Sequence, residues 1–443
     1  MIIDIDSPAT DLLFLAANDD DPFARYEALQ QLVVQHLVAA IGGGMLCDAE
    51  RQTGREAIGQ ALSAVIVDPA LDDLMRGELL ILPGEAYLAE QLTRADPTRI
   101  FAEREGLKRW LGETLKAKWL ALHDRCSAVP YSLDAAARGA RKLKTQALVY
   151  LAPADPAEAA ARAKAQYDAA TNMTDRQSAL MVLCSLDAPE REVALADFHA
   201  RFDGNMLVID KWFTLQALSL NPNVIAEVRK LADHPDFTLK NPNRARSLVF
   251  SYCSANPGAF HRSDAAGYVF WSDRVIELDA INPQVAARLA RALDRWKKLA
   301  EPYRQAAKAA IERVAAKSDL SDDVREVVTR ALAELGRSGV PVYVLYQPGQ
   351  APLVLSELLS PTLVLDTLKA LGRFLAQHAK LRWRQKSAPF RLAAGNLECL
   401  GRHTSRREGR HGESSGNGDD VSSVQHVPAP WSVGSVRSTM NRF

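Results

Sequence analysis

The sequence predicts an all-α protein, a superhelix of stacked antiparallel helical hairpins (α-solenoid-like), followed by a small ββα fragment and a disordered tail. Three observations predict it. From about residue 8 to about residue 335, apolar residues recur with a 3.6-residue period in short units, and no strand-like alternation of useful length occurs before residue 338. Near residue 336 the chain switches to β-branched and aromatic runs bracketed by turn residues. From about Ser387 periodicity is lost. The domain boundaries drawn on this basis are 7–335, 336–379 and 380–443.

The elements follow in chain order. Asp19-Asp20-Asp21-Pro22 starts a helix, with acids at its positive end and proline in the first turn, where its missing N–H costs nothing. Leu29, Leu32, Val33, His36-Leu37 and Ile41 form its stripe, and Gly42-Gly43-Gly44 ends it. A long helix is expected from about Pro97 to Cys126, then others over about 134–152, 156–170, 173–185, 188–202 and 206–219. A late helix opens at Asn282-Pro283 and aligns Val285, Leu289, Leu293 and Trp296. Its opposite face carries Arg288, Arg291, Arg295 and Lys298, a charged stripe read as solvated. No strict repeat period occurs, so a consensus repeat array is excluded. Val342–Tyr346 and Leu353–Leu355 are strand candidates joined by a turn at Gln347-Pro348-Gly349-Gln350, and Ser360-Pro361 opens a helix to about Leu371. Residues 401–424, rich in Arg, Ser, Gly and Asp, are expected to be disordered.

Composition limits the function classes. With 443 residues, 24% charged and 47% hydrophobic, the chain has the balance of a globular protein, which excludes wholesale disorder. The net charge of +0 is a cancellation: residues 380–443 hold 11 Lys/Arg against 5 Asp/Glu, leaving 43 against 49 elsewhere. Arg406-Arg407 is too short a run for a nucleic-acid arm, so no nucleic acid is expected as partner. Five cysteines, an odd number with no C-x-x-C pair, do not make a disulfide scaffold, and Cys184 and Cys253 are expected as buried thiols. The N-terminus is acidic and no apolar run reaches about 18 residues, so the expectation is a cytoplasmic chain with no membrane partner.

Catalytic signatures are absent. A helical zinc site needs two histidines at i and i+4 with a glutamate beside the first. None of the nine histidines is followed by Glu or by another His four residues on. G-x-S-x-G, a phosphate-binding Lys loop and G-x-G-x-x-G do not occur. His234 and His261 lie near turns and read as ordinary polar residues, so neither a metal site nor a catalytic residue is assigned.

Four clusters are unusual for a plain scaffold: Thr171-Asn172-Met173-Thr174-Asp175; Asp210-Lys211-Trp212-Phe213; Asn241-Pro242-Asn243-Arg244-Ala245-Arg246-Ser247-Leu248; and Asn256-Pro257-Gly258-Ala259-Phe260-His261, followed by Gly267-Tyr268-Val269-Phe270. Each Asn-Pro pair is by itself a helix-capping device. In this order and at this spacing the clusters resemble the C-terminal helical domain of bacterial aminopeptidase N, the zinc metallo-aminopeptidase family, over roughly residues 7–335. Thr171-Asn172 stands where that family has Asn-Asn.

The resemblance implies a domain that caps an active site and channels peptides. It places the zinc ligands and general base in a preceding catalytic domain, so no cofactor is expected in this chain and no peptidase activity from it alone. It also implies peptides as ligands, an aminopeptidase catalytic domain as partner, and Arg244, Arg246, Asn243, Lys211, Asn172 and Met173 as substrate-channel candidates. Arg244 and Arg246 suit a peptide carboxylate. Two apart on a helix they point about 200° apart, so at most one faces a cavity. The other reading is a free-standing peptide- or protein-binding helical scaffold without catalysis.

Residues 336–379 resemble the C-terminal part of a thioredoxin-like domain, as in thiol:disulfide interchange proteins, with Gly339-Val340-Pro341 before the hairpin. Without C-x-x-C, redox activity is not carried over. The join is expected near Arg330–Leu335, making the chain a fusion of two truncated segments.

Overall fold

The computed structural model describes residues 7–42 and 46–333, together with the strand residues 344–345 and 353–354. The chain divides into two units, 1–334 and 335–443. In the second, Val344-Leu345 (β1) pairs antiparallel with Leu353-Val354 (β2). The helix expected from Ser360 and the tail lie outside the described residues.

The first unit is helical throughout. It begins with α1 (Ala9–Asn18), α2 (Pro22–Ile41) and α3 (Asp48–Val67), then the short α4 (Asp73–Leu79) and α5 (Glu85–Gln91). Asp21 caps α2 by accepting from the Phe23 N–H at 2.9 Å, and the helix ends at Gly42. Leu29, Leu32, Val33, Leu37 and Ile41 are all buried.

The long helix expected from Pro97 is two: α6 (Pro97–Thr114) and α7 (Lys116–Ser127), broken at Leu115. The break re-aims the chain, and packing compensates for it. Trp119, fully buried on α7, stacks on Tyr150 of α8 (Ala135–Ala154) with ring centroids 4.3 Å apart and planes 4° from parallel. Its indole N–H donates back to Leu111 O at 3.1 Å. The apolar period runs across the break, so no sequence signal marks it.

Next come α9 (Pro156–Ala169), α10 (Met173–Cys184), α11 (Pro189–Arg201) and α12 (Met206–Ala217), within two residues of the expected spans, and then α13 (Val224–Ala232), which has no counterpart among those spans. Residues 242–255 form a continuous helical run, α14 (Pro242–Ala245), one π-turn (Arg246–Phe250) and α15 (Ser251–Ala255). After α16 (Pro257–Phe260) and α17 (Ala266–Asp279), α18 (Pro283–Ala290) relaxes into 3₁₀ turns at Arg291–Leu293 and Trp296–Lys298. The stripe expected there survives the loosening, since Val285, Leu289, Leu293 and Trp296 are all buried. α19 (Tyr303–Ala315) and α20 (Asp322–Leu332) complete the unit.

The three Asn-Pro pairs differ in use. Asn241 and Asn282 cap α14 and α18, accepting from Asn243 N–H at 3.0 Å and Val285 N–H at 3.2 Å. Asn256 does not cap. It is buried, and its amide donates to Ala217 O (3.0 Å) and Ser219 O (2.9 Å), tying the α15–α16 junction to the end of α12.

The helical stack is also closed on itself. Ala95 N–H donates to Lys298 O and Ala300 N–H to Ala95 O, both at 2.8 Å. Arg94 reaches Lys297 O at 2.7 Å, and the Thr98 and Tyr303 hydroxyls meet at 2.5 Å. Segments some 200 residues apart are thus bonded directly, which short-range periodicity cannot announce. Among the described residues no helix is long and apolar enough to cross a membrane.

Candidate functional site

An open cavity of about 940 Å³ lies between α5, α6, the α15–α16 region and the α18 segment. That volume lies at the upper end of the range of small-ligand sites, about 300–1,000 Å³. Arg288, Arg291, Arg295 and Lys298 border it together with Asp294, and Arg288, Arg291 and Arg295 are exposed, as the solvated reading of that stripe expects. Arg295 is paired with Glu90, whereas Arg288, Arg291 and Lys298 have no ion pair among the described residues. They follow one another at spacings of three and four, so the helical signal was legible. What the sequence did not show is that this face borders a cavity.

Glu85, at the start of α5, and Arg104 from α6 also border it. Arg104 is held in place, its Nε donating to Pro83 O at 2.8 Å and its Nη1 to Glu105 at 2.7 Å. Glu105 also accepts from Lys108 Nζ at 2.6 and 2.7 Å. Burial pushes the Glu85 carboxyl up to about 7, opposed by Arg104 and assisted by Glu105. Its Oε2 is buried and has no hydrogen-bond partner among the described residues. Nothing in the sequence singled out Glu85, because the groups that perturb it arrive from other elements.

Cys253 and His261 also border the cavity. Burial raises the Cys253 thiol well above its ordinary range, which removes thiolate character and makes it a packing group. Burial lowers His261 to about 4, and its Nδ1 lies 2.9 Å from the Tyr268 hydroxyl. The expectation that Cys184 and Cys253 are buried thiols matches the structure.

None of the six sequence-derived candidates borders this cavity. Arg244 is 3% exposed. Its Nε donates to Asp210 Oδ1 at 2.5 Å, its Nη1 donates to Asp236 O, and the guanidinium lies 5.0 Å from the Phe213 ring centroid. Its hydrogen-bonding capacity is spent on joining α12, the 233–237 turn and α14. Arg246, two residues on, points outward as helical geometry requires and donates to Asn243 Oδ1 at 3.1 Å. Asn243 and Lys211 are likewise exposed. Asn172 caps α10, accepting from Asp175 N–H at 2.9 Å, and Met173 packs against the core. The structure brings Asn243, Arg244 and Arg246 to one helix start, and gives Asn172 and Met173 capping and packing contacts at another.

Comparison with known proteins agrees with the geometry. Residues 9–333 match the family described as "Domain of unknown function (DUF3458_C) ARM repeats". The chain is similar to aminopeptidase N of Caulobacter vibrioides, 34% identical over 328 residues, covering 74% of this chain and 37% of that protein. It is similar also to aminopeptidase N of Escherichia coli, 33% identical over 327 residues, with 73% and 37% covered. Among solved structures, Legionella pneumophila aminopeptidase A in complex with aspartic acid matches with a TM-score of 0.66 and 28% identity, over 74% of this chain and 39% of that one. The chain thus spans well under half the length of the relatives it matches. Residues 9–333 are the C-terminal helical domain of aminopeptidase N-like proteins, and the chain belongs to the DUF3458_C ARM-repeat family.

Proposed function

We propose that this chain is the peptide-handling domain of an aminopeptidase N-type system, which receives peptides in the cavity between α5 and the α18 segment, caps the active site of a catalytic domain and does not hydrolyse peptides alone. The observation that carries the reading is a set of cations: Arg288, Arg291 and Lys298 border a cavity of about 940 Å³, beside Asp294, without an ion pair among the described residues. An exposed guanidinium at the edge of a cleft suits the planar carboxylate at a peptide's C-terminus. Arg246, Asn243 and Lys211 form a second, exposed candidate for that carboxylate, whereas Arg244 serves as their support.

The experiment is a titration of the full chain with a fluorescent tetrapeptide bearing either a free or an amidated C-terminus. Saturable binding is expected that weakens on amidation, weakens at least about tenfold in Arg288→Ala/Arg291→Ala and changes little in Arg246→Ala. Equal binding of both peptides by wild type and the double variant would remove the cavity from the reading. No release of the anilide from an alanyl-anilide is expected from the chain alone, and chelator-sensitive turnover would overturn that part. A second reading is a free-standing peptide-binding scaffold without catalysis. It predicts peptide affinity unchanged when an aminopeptidase catalytic domain is supplied in trans.

The thioredoxin-like resemblance of residues 336–379 is kept as a proposal about ancestry. An insulin-reduction assay is expected to show no turnover, for want of C-x-x-C.

A further inference from the structure

We propose that His199, His234 and Asp236 form a binding site for a transition-metal dication of the Zn²⁺ class. The three residues come from the last turn of α11 and from the 233–237 turn that follows α13. Sequence separations of 35 and 37 residues give no local ligand motif. In the fold, one ligand atom from each lies within 4.8 Å of the others. His199 Nε2 is 2.7 Å from Asp236 Oδ2, and His234 Nδ1 is 3.8 Å from the same oxygen.

Ligand atoms at about 2.0–2.2 Å from a tetrahedral zinc stand about 3.3 Å from each other. The observed separations bracket that value, so side-chain adjustments on the order of an ångström suffice. Two imidazoles and a carboxylate are a donor set suited to zinc, copper or nickel rather than to calcium or magnesium.

The surroundings hold the three groups in place. The turn is bonded internally, His234 N–H to Leu231 O at 3.1 Å and Phe237 N–H to His234 O at 2.8 Å, and Arg244 Nη1 donates to Asp236 O. The Arg244 charge is itself neutralised by Asp210. Trp212, anchored through its indole N–H to Leu195 O at 3.0 Å, packs against both imidazoles, with ring centroids 4.9 Å from His199 and 5.4 Å from His234.

The proton inventory closes. His234 Nδ1 accepts the Asp236 N–H at 3.2 Å, so it is the unprotonated ring nitrogen, and a metal there displaces one long hydrogen bond. His199 Nε2 faces the carboxylate as a donor. Metal binding takes the Nε2 lone pair, so the proton on that nitrogen leaves it through solvent when the ion arrives. All three side chains keep partial exposure (26%, 29% and 40%), which gives a metal an entry path and leaves room for water to complete its coordination.

The test is isothermal titration of the chelator-treated full chain with ZnCl₂. One saturable site is expected, weakened about tenfold or more in each of His199→Ala, His234→Ala and Asp236→Asn. Ni²⁺ or Cu²⁺ should quench the Trp212 fluorescence, and Trp212→Phe should lose that quench while still binding Zn²⁺. These two readouts separate this site from the histidines His378, His403, His411 and His426. If a histidine variant fails to fold, Asp236→Asn carries the test, because that side chain is 40% exposed. No binding up to about 1 mM Zn²⁺, or affinity and quench unchanged in all three variants, overturns the proposal.

Discussion

Replacing Arg244 with alanine asks whether this residue holds the fold or serves a ligand. Arg244 is 3% exposed, and the side chain of its partner Asp210 is 16% exposed. Removing one member of a buried, hydrogen-bonded pair leaves the other uncompensated, which costs about 3–5 kcal/mol. Loss of the donation to Asp236 O and of the cation–π contact with Phe213 acts in the same direction. Arg246→Ala removes only an exposed contact and should change stability by no more than about 0.5 kcal/mol.

The assay is urea unfolding of wild type, Arg244→Ala, Asp210→Ala and the double variant, followed by circular dichroism. Because the two side chains touch, the double variant should be less destabilised than the two single effects combined, with a coupling of about 1–3 kcal/mol. If Arg244→Ala keeps the wild-type midpoint and slope, or if the two effects simply add, the assignment of Arg244 as an internal tie is refuted. Its guanidinium would then be available to a ligand.

Other predictions concern the cavity and the core. Glu85, raised by burial from an ordinary 4.5 to about 7, binds its proton more tightly in the folded than in the unfolded state. Its contribution is therefore full below pH 4.5 and is lost as pH rises towards 7, roughly 3 kcal/mol in all. Glu85→Gln should flatten that decline in unfolding free energy measured between pH 5 and 8. His261 has the opposite sign. Lowered from 6.5 to about 4, it is neutral in the fold, so its contribution is full above pH 6.5 and is lost as pH falls towards 4. His261→Gln should shallow the acid limb of the same curve. Gly112→Ala would set a Cβ 2.2 Å from Tyr150 O and 2.8 Å from the Ala154 Cβ, forcing α6 off α8, and thermal unfolding should show a loss of about 1–3 kcal/mol. Trp119→Ala, which empties a fully buried stacked position, should cost about 3–5 kcal/mol.

The helices were legible because their information is local. Asp21-Pro22, Asn241-Pro242 and Asn282-Pro283 are caps written in adjacent residues, and the stripes from Leu29 to Ile41 and from Val285 to Trp296 bury as their period requires. The break at Leu115 was not legible, since what offsets it is the Trp119–Tyr150 stack, a contact across 31 residues. The chosen site residues show the same limit. Arg244 and Asn172 stand in informative clusters, yet the partners that make one an internal tie and the other a cap were not readable from residue type.

What the sequence determined alone is the helical class, the punctuation of the helices, the family resemblance and the lack of a peptidase zinc motif. These depend on side-chain period, capping chemistry and residue order, all expressed within a few turns of chain. Tertiary structure decided the rest. Bonding of residues 94–98 to 297–303 closes the stack, the Arg288–Lys298 stripe borders an open cavity, and burial lifts the Glu85 carboxyl. Packing of α11 and the turn after α13 against α12 sets His199, His234 and Asp236 within reach of one another. Charge environment and ligand geometry depend on distance in space, and here the groups that matter lie tens to hundreds of residues apart in the chain.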